Sequence, residues 1–258
     1  MDERFYEIMR YLARLKYNGS EFCGWQAQIN SLSVQEVIEQ KLSMLLGHEI
    51  KVVGCGRTDT GVHANDFYLH FDFQNNQVDV KRLRYKLNSI LPPSIAITEL
   101  RKVSSKFHAR FSAILREYKY YINHEKNPFE NNCWWIRQPL DIKSMEKASN
   151  YLLNYKDFTS FSKLHTDVKT NLCIVYQLDI EKVETHIIIT IRANRFLRNM
   201  VRAIVGTLVE IGLNKRKPDD IKRIIEAKNR GAAGSSAPAK GLFLNEITYP
   251  AELIEAIE

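Results

Sequence analysis

Cysteine is scarce in this chain. Cys23, Cys55, Cys133 and Cys173 lie far apart and include no Cys-x-x-Cys pair. That spacing argues against a zinc site and against a disulfide framework. Long apolar runs are absent as well. The opening stretch, residues 1–11, mixes charged and apolar side chains, with neither the apolar centre of a signal peptide nor a span that could cross a bilayer. A reducing cytoplasm is the expected setting, with no membrane. No low-complexity linker and no literal repeat breaks the chain. The Gly-x-x-x-x-Gly-Lys-Ser/Thr pattern of a P-loop does not occur.

What is present is ordinary globular material. The 258 residues are 45% hydrophobic and 26% charged, enough apolar matter for a core without disulfides. The formal charge of +7 is compatible with a polyanionic partner and equally with a surplus that keeps the protein soluble.

Periodicity predicts alternating strands and helices. Residues 11–17 read as a strand ended by Asn18-Gly19, a turn pair. Ser33-Val34-Gln35-Glu36 is a capping box. Behind it Val34, Val37, Ile38, Leu42, Leu45 and Leu46 recur at helical spacing up to Gly47. A strand at 50–53 leads into Gly54-Cys55-Gly56, and Phe67, Leu69, Phe71 and Phe73 alternate along another. Asp79 opens a helix through Leu83, Leu87 and Leu91 that stops at Pro92-Pro93. The second half repeats the scheme: a strand at 111–123, a helix through Met145, Ala148, Leu152 and Leu153, and a strand at 187–191. An apolar helix follows at 196–211, then one opened by Pro218 and closed by Gly231.

Intermixed strands and hairpins predict an α+β fold of two similar α/β subdomains. Antiparallel or mixed sheets flanked by helices form each, with an active-site cleft between them. The expected division is 1–106 and 107–258.

The segment Gly54-Cys55-Gly56-Arg57-Thr58-Asp59-Thr60-Gly61-Val62-His63-Ala64 is the richest in chemistry. Its glycines permit sharp turns and close backbone approach. It can be a plain tight turn in which Asp59 bonds local amides, or a functional loop. An anion cradle of backbone amides is one such function. Asp59-Thr60-Gly61 resembles half of an aspartic protease dyad, but no second such triplet occurs. Asp59, His63 and His70 fit no standard metal-ligand spacing. At the 196–211 helix, Arg195, Arg198 and Arg202 fall three and four apart, a basic stripe that faces either solvent or a polyanion.

Gly56 to Ala64 resembles the catalytic signature of the TruA family of tRNA pseudouridine synthases. The same order of blocks continues along the chain. Tyr17-Asn18-Gly19 with Gly24-Trp25-Gln26-Ala27-Gln28, then Leu87 to Pro93, Phe107 to Ala113 with Arg116 to Tyr120, Asp157 to Phe161, Phe196 to Arg202 and Ala237 to Leu242 all resemble that family. The resemblance implies isomerisation of uridine to pseudouridine in the anticodon stem-loop of tRNA, by a homodimer, with no metal and no organic cofactor. It implies that Asp59 is the catalytic carboxylate, that Tyr118 packs on the target base and that Arg202 pairs with Asp59. Arg57, Arg110, Arg116 and Arg198 are expected to meet RNA phosphates. Asn18, Cys55, Thr60, residues 65–68 and Arg195 depart from the common pattern. They border the expected RNA path, so they leave the target position and RNA register open.

The chemistry fits those expectations. A uridine inside an A-form stem must be flipped out to be reached, and an aromatic side chain replaces the lost stacking. A carboxylate can meet the positive charge that develops on the sugar, and a guanidinium keeps it ionised. A non-catalytic RNA-binding protein on the same fold is the alternative.

Overall fold

The computed structural model describes residues 8–74, 78–163 and 170–255. The chain divides into two compact units, one of Met1–Ile114 with Glu246–Glu258, the other of Leu115–Asn245.

In the first unit, β1 (Met9–Tyr17) carries Tyr11, Leu12, Ala13 and Leu15 into the core. Ser33 accepts a hydrogen bond from the Glu36 N–H and starts α1 (Val34–Leu46), which Gly47 ends in the left-handed region. Apolar residues at helical spacing give that helix its buried stripe of Val34, Ile38 and Leu42. The strand expected at 50–53 shrinks to β2 (Val53–Gly54). Side chains of α1 take the preceding amides instead: Ser43 Oγ accepts the Ile50 N–H at 2.8 Å and Glu39 Oε1 the Val52 N–H at 3.0 Å. β3 (His63–Phe73) pairs antiparallel with both β1 and β2. Asp79 caps α2 (Val80–Ile90), and β4 (Ile95–Val103) returns antiparallel to β1. Each fully buried Leu, Ile or Phe of this face contributes about 1.5–3 kcal/mol of transfer free energy.

In the second unit, β5 (Leu115–Asn123) begins four residues later than the expected strand at 111–123. Residues 107–112 are wound instead, with the Ser112 N–H bonded to His108 O at 2.9 Å. β6 (Trp134–Trp135) runs parallel to β5, and α3 (Ile142–Leu152) is capped by Asp141. β7 (Val175–Val183) and β8 (His186–Ala193) form a hairpin whose second strand pairs with β5.

The helix expected at 196–211 is α4 (Met200–Gly212). Asn199 sits at φ 66, a left-handed conformation that breaks any continuous helix through 195–202. Arg195 and Arg198 therefore precede the helix, and the predicted basic stripe does not exist as one helical face. α5 (Asp220–Glu226) ends before Gly231: Lys228 turns left-handed at φ 45, and Gly231 lies in a separate 3₁₀ turn. β9 (Leu242–Thr248) spans the division between the units.

The architecture within each unit is α+β, with chiefly antiparallel strands and helices packed on them, as the sequence pattern predicts. Among the described residues no helix is long and apolar enough to cross a membrane.

Candidate active site

Asp59 lies on the turn joining β2 to β3, and neighbouring segments fix that turn from several sides. Cys55 is buried and donates its N–H to Tyr68 O at 2.8 Å. The Thr58 hydroxyl lies 2.8 Å from the Tyr17 hydroxyl, both residues buried. Thr58 O accepts the Trp25 N–H at 3.3 Å, and Asp59 O accepts the Val62 N–H at 3.1 Å. The Trp25 ring stacks on Phe67 of β3 at a centroid distance of 4.1 Å. Gly24 has φ +89, and a Cβ there would run into the Thr58 carbonyl oxygen. Close approach at Gly24 thus lets the Gly24-Trp25 segment hold the turn.

The clamp leaves Thr58 buried, Asp59 half-buried, and Arg57 and Thr60 exposed. The backbone of the turn that carries Asp59 is thus held at several points. His63, whose spacing from Asp59 and His70 fits no standard metal-ligand pattern, is buried and accepts the Gly19 N–H at Nδ1, 3.1 Å away. His70 accepts the Ala109 N–H at Nδ1, also at 3.1 Å. Among the described residues, no three of His, Cys, Asp and Glu are grouped to hold a metal ion.

Arg110 belongs to the same unit and is exposed. Its backbone is set by two imidazoles. His108 Nδ1 accepts the N–H groups of Arg110 and Phe111, both at 3.2 Å, and the His70 and His108 rings meet edge to face at 4.9 Å. Burial pushes the His70 pKa down to about 4, with the charges of Arg10 and His108 adding to the effect and Asp72 opposing it. His108 is lowered too, chiefly by burial. Neutral rings at neutral pH are what the two acceptor nitrogens require. Arg10 fastens the other side of the segment, donating to Ser105 O at 2.8 Å and Phe107 O at 2.7 Å while making a two-pronged pair with Asp72.

Tyr118, Arg116, Arg198 and Arg202 belong to the second unit. Tyr118 is half-buried on β5, with its ring edge-on to Phe196 at 5.1 Å and 89°. The adjacent Glu117 is buried and held by Arg192 Nε and by Asn245 Nδ2. Arg116 donates to Asn194 O at 3.1 Å. Arg202 stands in the first turn of α4, where its Nε donates to Ala237 O at 2.7 Å and its own carbonyl accepts the Ala237 N–H at 2.9 Å. The segment at Ala237 reaches α4 because Gly206 has no side chain; a Cβ there would collide with Ser235 O. Arg230 and Asn199 both donate to Ser236 Oγ and complete that anchorage. Arg198 is exposed in the turn before α4, and its carbonyl accepts the Lys163 N–H at 3.0 Å.

Sequence patterns did not single out three of these participants. Phe196 was placed inside a helix. Glu117 stands only inside the block Arg116 to Tyr120, between Leu115 and Lys119 on its side of the strand, so its burial has no local signal. Tyr17 stood out only as part of a motif, because its bond to Thr58 joins residues distant in the chain.

A family model described as tRNA pseudouridine synthase matches residues 13–112 and 148–250. The tRNA pseudouridine synthase A of Bacteroides fragilis is 46% identical over 250 residues, covering 96% of this chain and 99% of the relative. That of Azobacteroides pseudotrichonymphae is 48% identical over 242 residues, covering 93% and 97%. A Thermoanaerobacter protein of the same name is 42% identical over 239 residues, covering 91% and 97%. Among solved structures, an archaeal box H/ACA Nop10–Cbf5 complex aligns with 78% of this chain and 43% of that chain, at 9% identity and a TM-score of 0.30, too distant to carry an argument. With a family model spread over both units and relatives aligned nearly end to end, the chain belongs to the tRNA pseudouridine synthase family.

Proposed function

We propose that this protein isomerises uridine to pseudouridine in the anticodon stem-loop of tRNA, with Asp59 as the catalytic carboxylate. The observation that carries the reading is the clamped β2–β3 turn. Buried Thr58, bonded to Tyr17, presents the half-buried Asp59 at a fixed position inside a Gly-Arg-Thr-Asp sequence.

The reaction breaks the C1′–N1 bond of uridine, turns the freed base and forms a C1′–C5 bond; the proton on C5 leaves and N1 takes one up. Nothing is oxidised or reduced. The target nucleotide must first leave its stack, and Tyr118, braced by Phe196, supplies a replacement face; stacking of this kind is worth about 1–3 kcal/mol per base. Asp59 meets the positive character that develops at the sugar carbon. Arg202, whose Nε is bonded to Ala237 O, is the cation that pairs with this carboxylate in the reading. Arg57, Arg110, Arg116 and Arg198 contact RNA phosphates, and the formal charge of +7 favours the encounter. The working form is a homodimer in the cytoplasm.

The direct test is incubation of an unmodified tRNA transcript with the purified protein, followed by carbodiimide labelling and primer-extension mapping. The reading expects stops at anticodon stem-loop uridines. A transcript that remains free of pseudouridine would refute the activity.

A further inference from the structure

A cavity of about 270 Å³ opens in the second unit, away from Tyr118. His124, Arg137 and Lys182 line it, over an apolar floor that includes Leu140, Ile142 and Ile187. The extended chain advances about 3.3 Å per residue, so along β5 this cavity lies about 20 Å from Tyr118. It is a different place from the one that receives the reacting base.

Its construction is specific. His124 Nδ1 lies 2.9 Å from Ile136 O, and the Ile136 N–H bonds Asn123 O at 2.9 Å, so the two chain segments at the mouth are stitched together. Ile136 is buried, whereas its neighbours in the chain, Trp135 and Arg137, are exposed. Trp135 is 45% exposed, and the Lys126 ammonium stands 5.9 Å from its ring centroid. Arg137 and Lys182 are exposed, and no described carboxylate forms an ion pair with either. Two carboxylates of neighbouring segments are engaged elsewhere. Asp141 accepts the Ser144 N–H at 3.1 Å and the Ser144 hydroxyl at 2.7 Å. Glu130 is held by Asn123 at 2.7 Å and by His186 at 2.8 Å.

Three basic groups around one cavity suit a phosphate, and a half-exposed indole beside cations suits a nucleobase. We infer that the His124–Arg137–Lys182 cavity, with the Trp135 face beside it, is a second RNA-binding site, taking a backbone phosphate in the cavity and an unpaired base on the indole. The inference rests on the proposed function for its polyanion, tRNA, a molecule long enough to reach this site while its target uridine is at Tyr118. An acidic protein surface would satisfy the cations but leaves the indole unexplained.

The test compares wild type with Arg137→Gln/Lys182→Gln and with Trp135→Ala in titrations of unmodified tRNA over a salt series. The double variant should bind about 10-fold more weakly at low salt, with a salt slope smaller by about 1. Trp135→Ala should weaken binding about 10-fold with the slope unchanged, because no charge is removed. At saturating tRNA, kcat should match wild type in both. The charge-conserving Arg137→Lys/Lys182→Arg should keep the wild-type slope, which guards against a folding artefact. Wild-type affinity in both variants, with the wild-type slope in the double variant, overturns the inference. A changed sedimentation coefficient of the free protein also overturns it, since the surface would then contact a second copy of the chain. Failure of wild type itself to bind tRNA strikes the proposed function; bound wild type with unaffected variants strikes only the second site.

Discussion

The Tyr17 and Thr58 hydroxyls meet at 2.8 Å inside the first unit, one residue before Asp59. Two buried hydroxyls satisfy each other there, and the turn carrying the carboxylate takes its position from the end of β1. Removing the Tyr17 hydroxyl takes this partner from the buried Thr58 hydroxyl, at about 1–3 kcal/mol. Tyr17→Phe is expected to lower the unfolding free energy by that amount and to reduce kcat about 10-fold while tRNA affinity holds. Thr58→Val in the Tyr17→Phe background should cost less than the two single changes added together, because the stranded partner is gone. Chemical denaturation and single-turnover kinetics check both statements; strict additivity contradicts them.

Gly24 offers a backbone test of the same clamp. At φ +89 and against the Thr58 carbonyl, Gly24→Ala meets both strain and collision. The expected loss is at least about 2 kcal/mol of stability, with activity falling more than tRNA binding. Gly56→Ala, at a position with open space around it, is the control and should be far milder.

Stability should respond to acid through His70. Its folded-state pKa is depressed to about 4 from 6.5, so the unfolded chain takes up a proton that the folded chain refuses. The contribution is fully present above pH 6.5 and is lost as pH falls from 6.5 through about 4. Denaturant midpoints measured between pH 7.5 and pH 4 should therefore decline across that window. His70→Asn, which keeps an acceptor and cannot titrate, should decline less. An identical profile in the variant contradicts this assignment.

Arg202 makes two demands that lysine cannot meet together: an Nε–H for the Ala237 carbonyl and a planar fork beyond it. Arg202→Lys should cut kcat about 100-fold and leave α4 folded, as judged by far-ultraviolet circular dichroism. Near-wild-type turnover would remove Arg202 from its proposed pairing with Asp59.

Local chemistry was the part of the fold that sequence patterns conveyed well. Ser33 and Asp79 cap the helices they were expected to cap, and Gly47 ends α1 in the left-handed region, because a cap depends on residues within one turn. The β2–β3 turn stood out for the same reason, with its glycines and charged residues adjacent. Errors arose where tertiary contacts decide. Leu197, Val201, Ile204, Leu208 and Ile211 keep helical spacing, yet Asn199 turns left-handed and Phe196 leaves to brace Tyr118, so the first quarter of the expected helix is absent. The late start of β5 depends on His108 gathering the Arg110 and Phe111 amides. Neither the Tyr17–Thr58 bond nor the approach of Ser235 to Gly206 has any local signature.

Tritium release from C5-labelled uridine in tRNA tests the central role of Asp59 most directly, because the C5 proton must leave when the new bond forms. Wild type is expected to release tritium steadily, and Asp59→Ala to release none above background while still binding tRNA. Equal release by the two proteins would contradict the account.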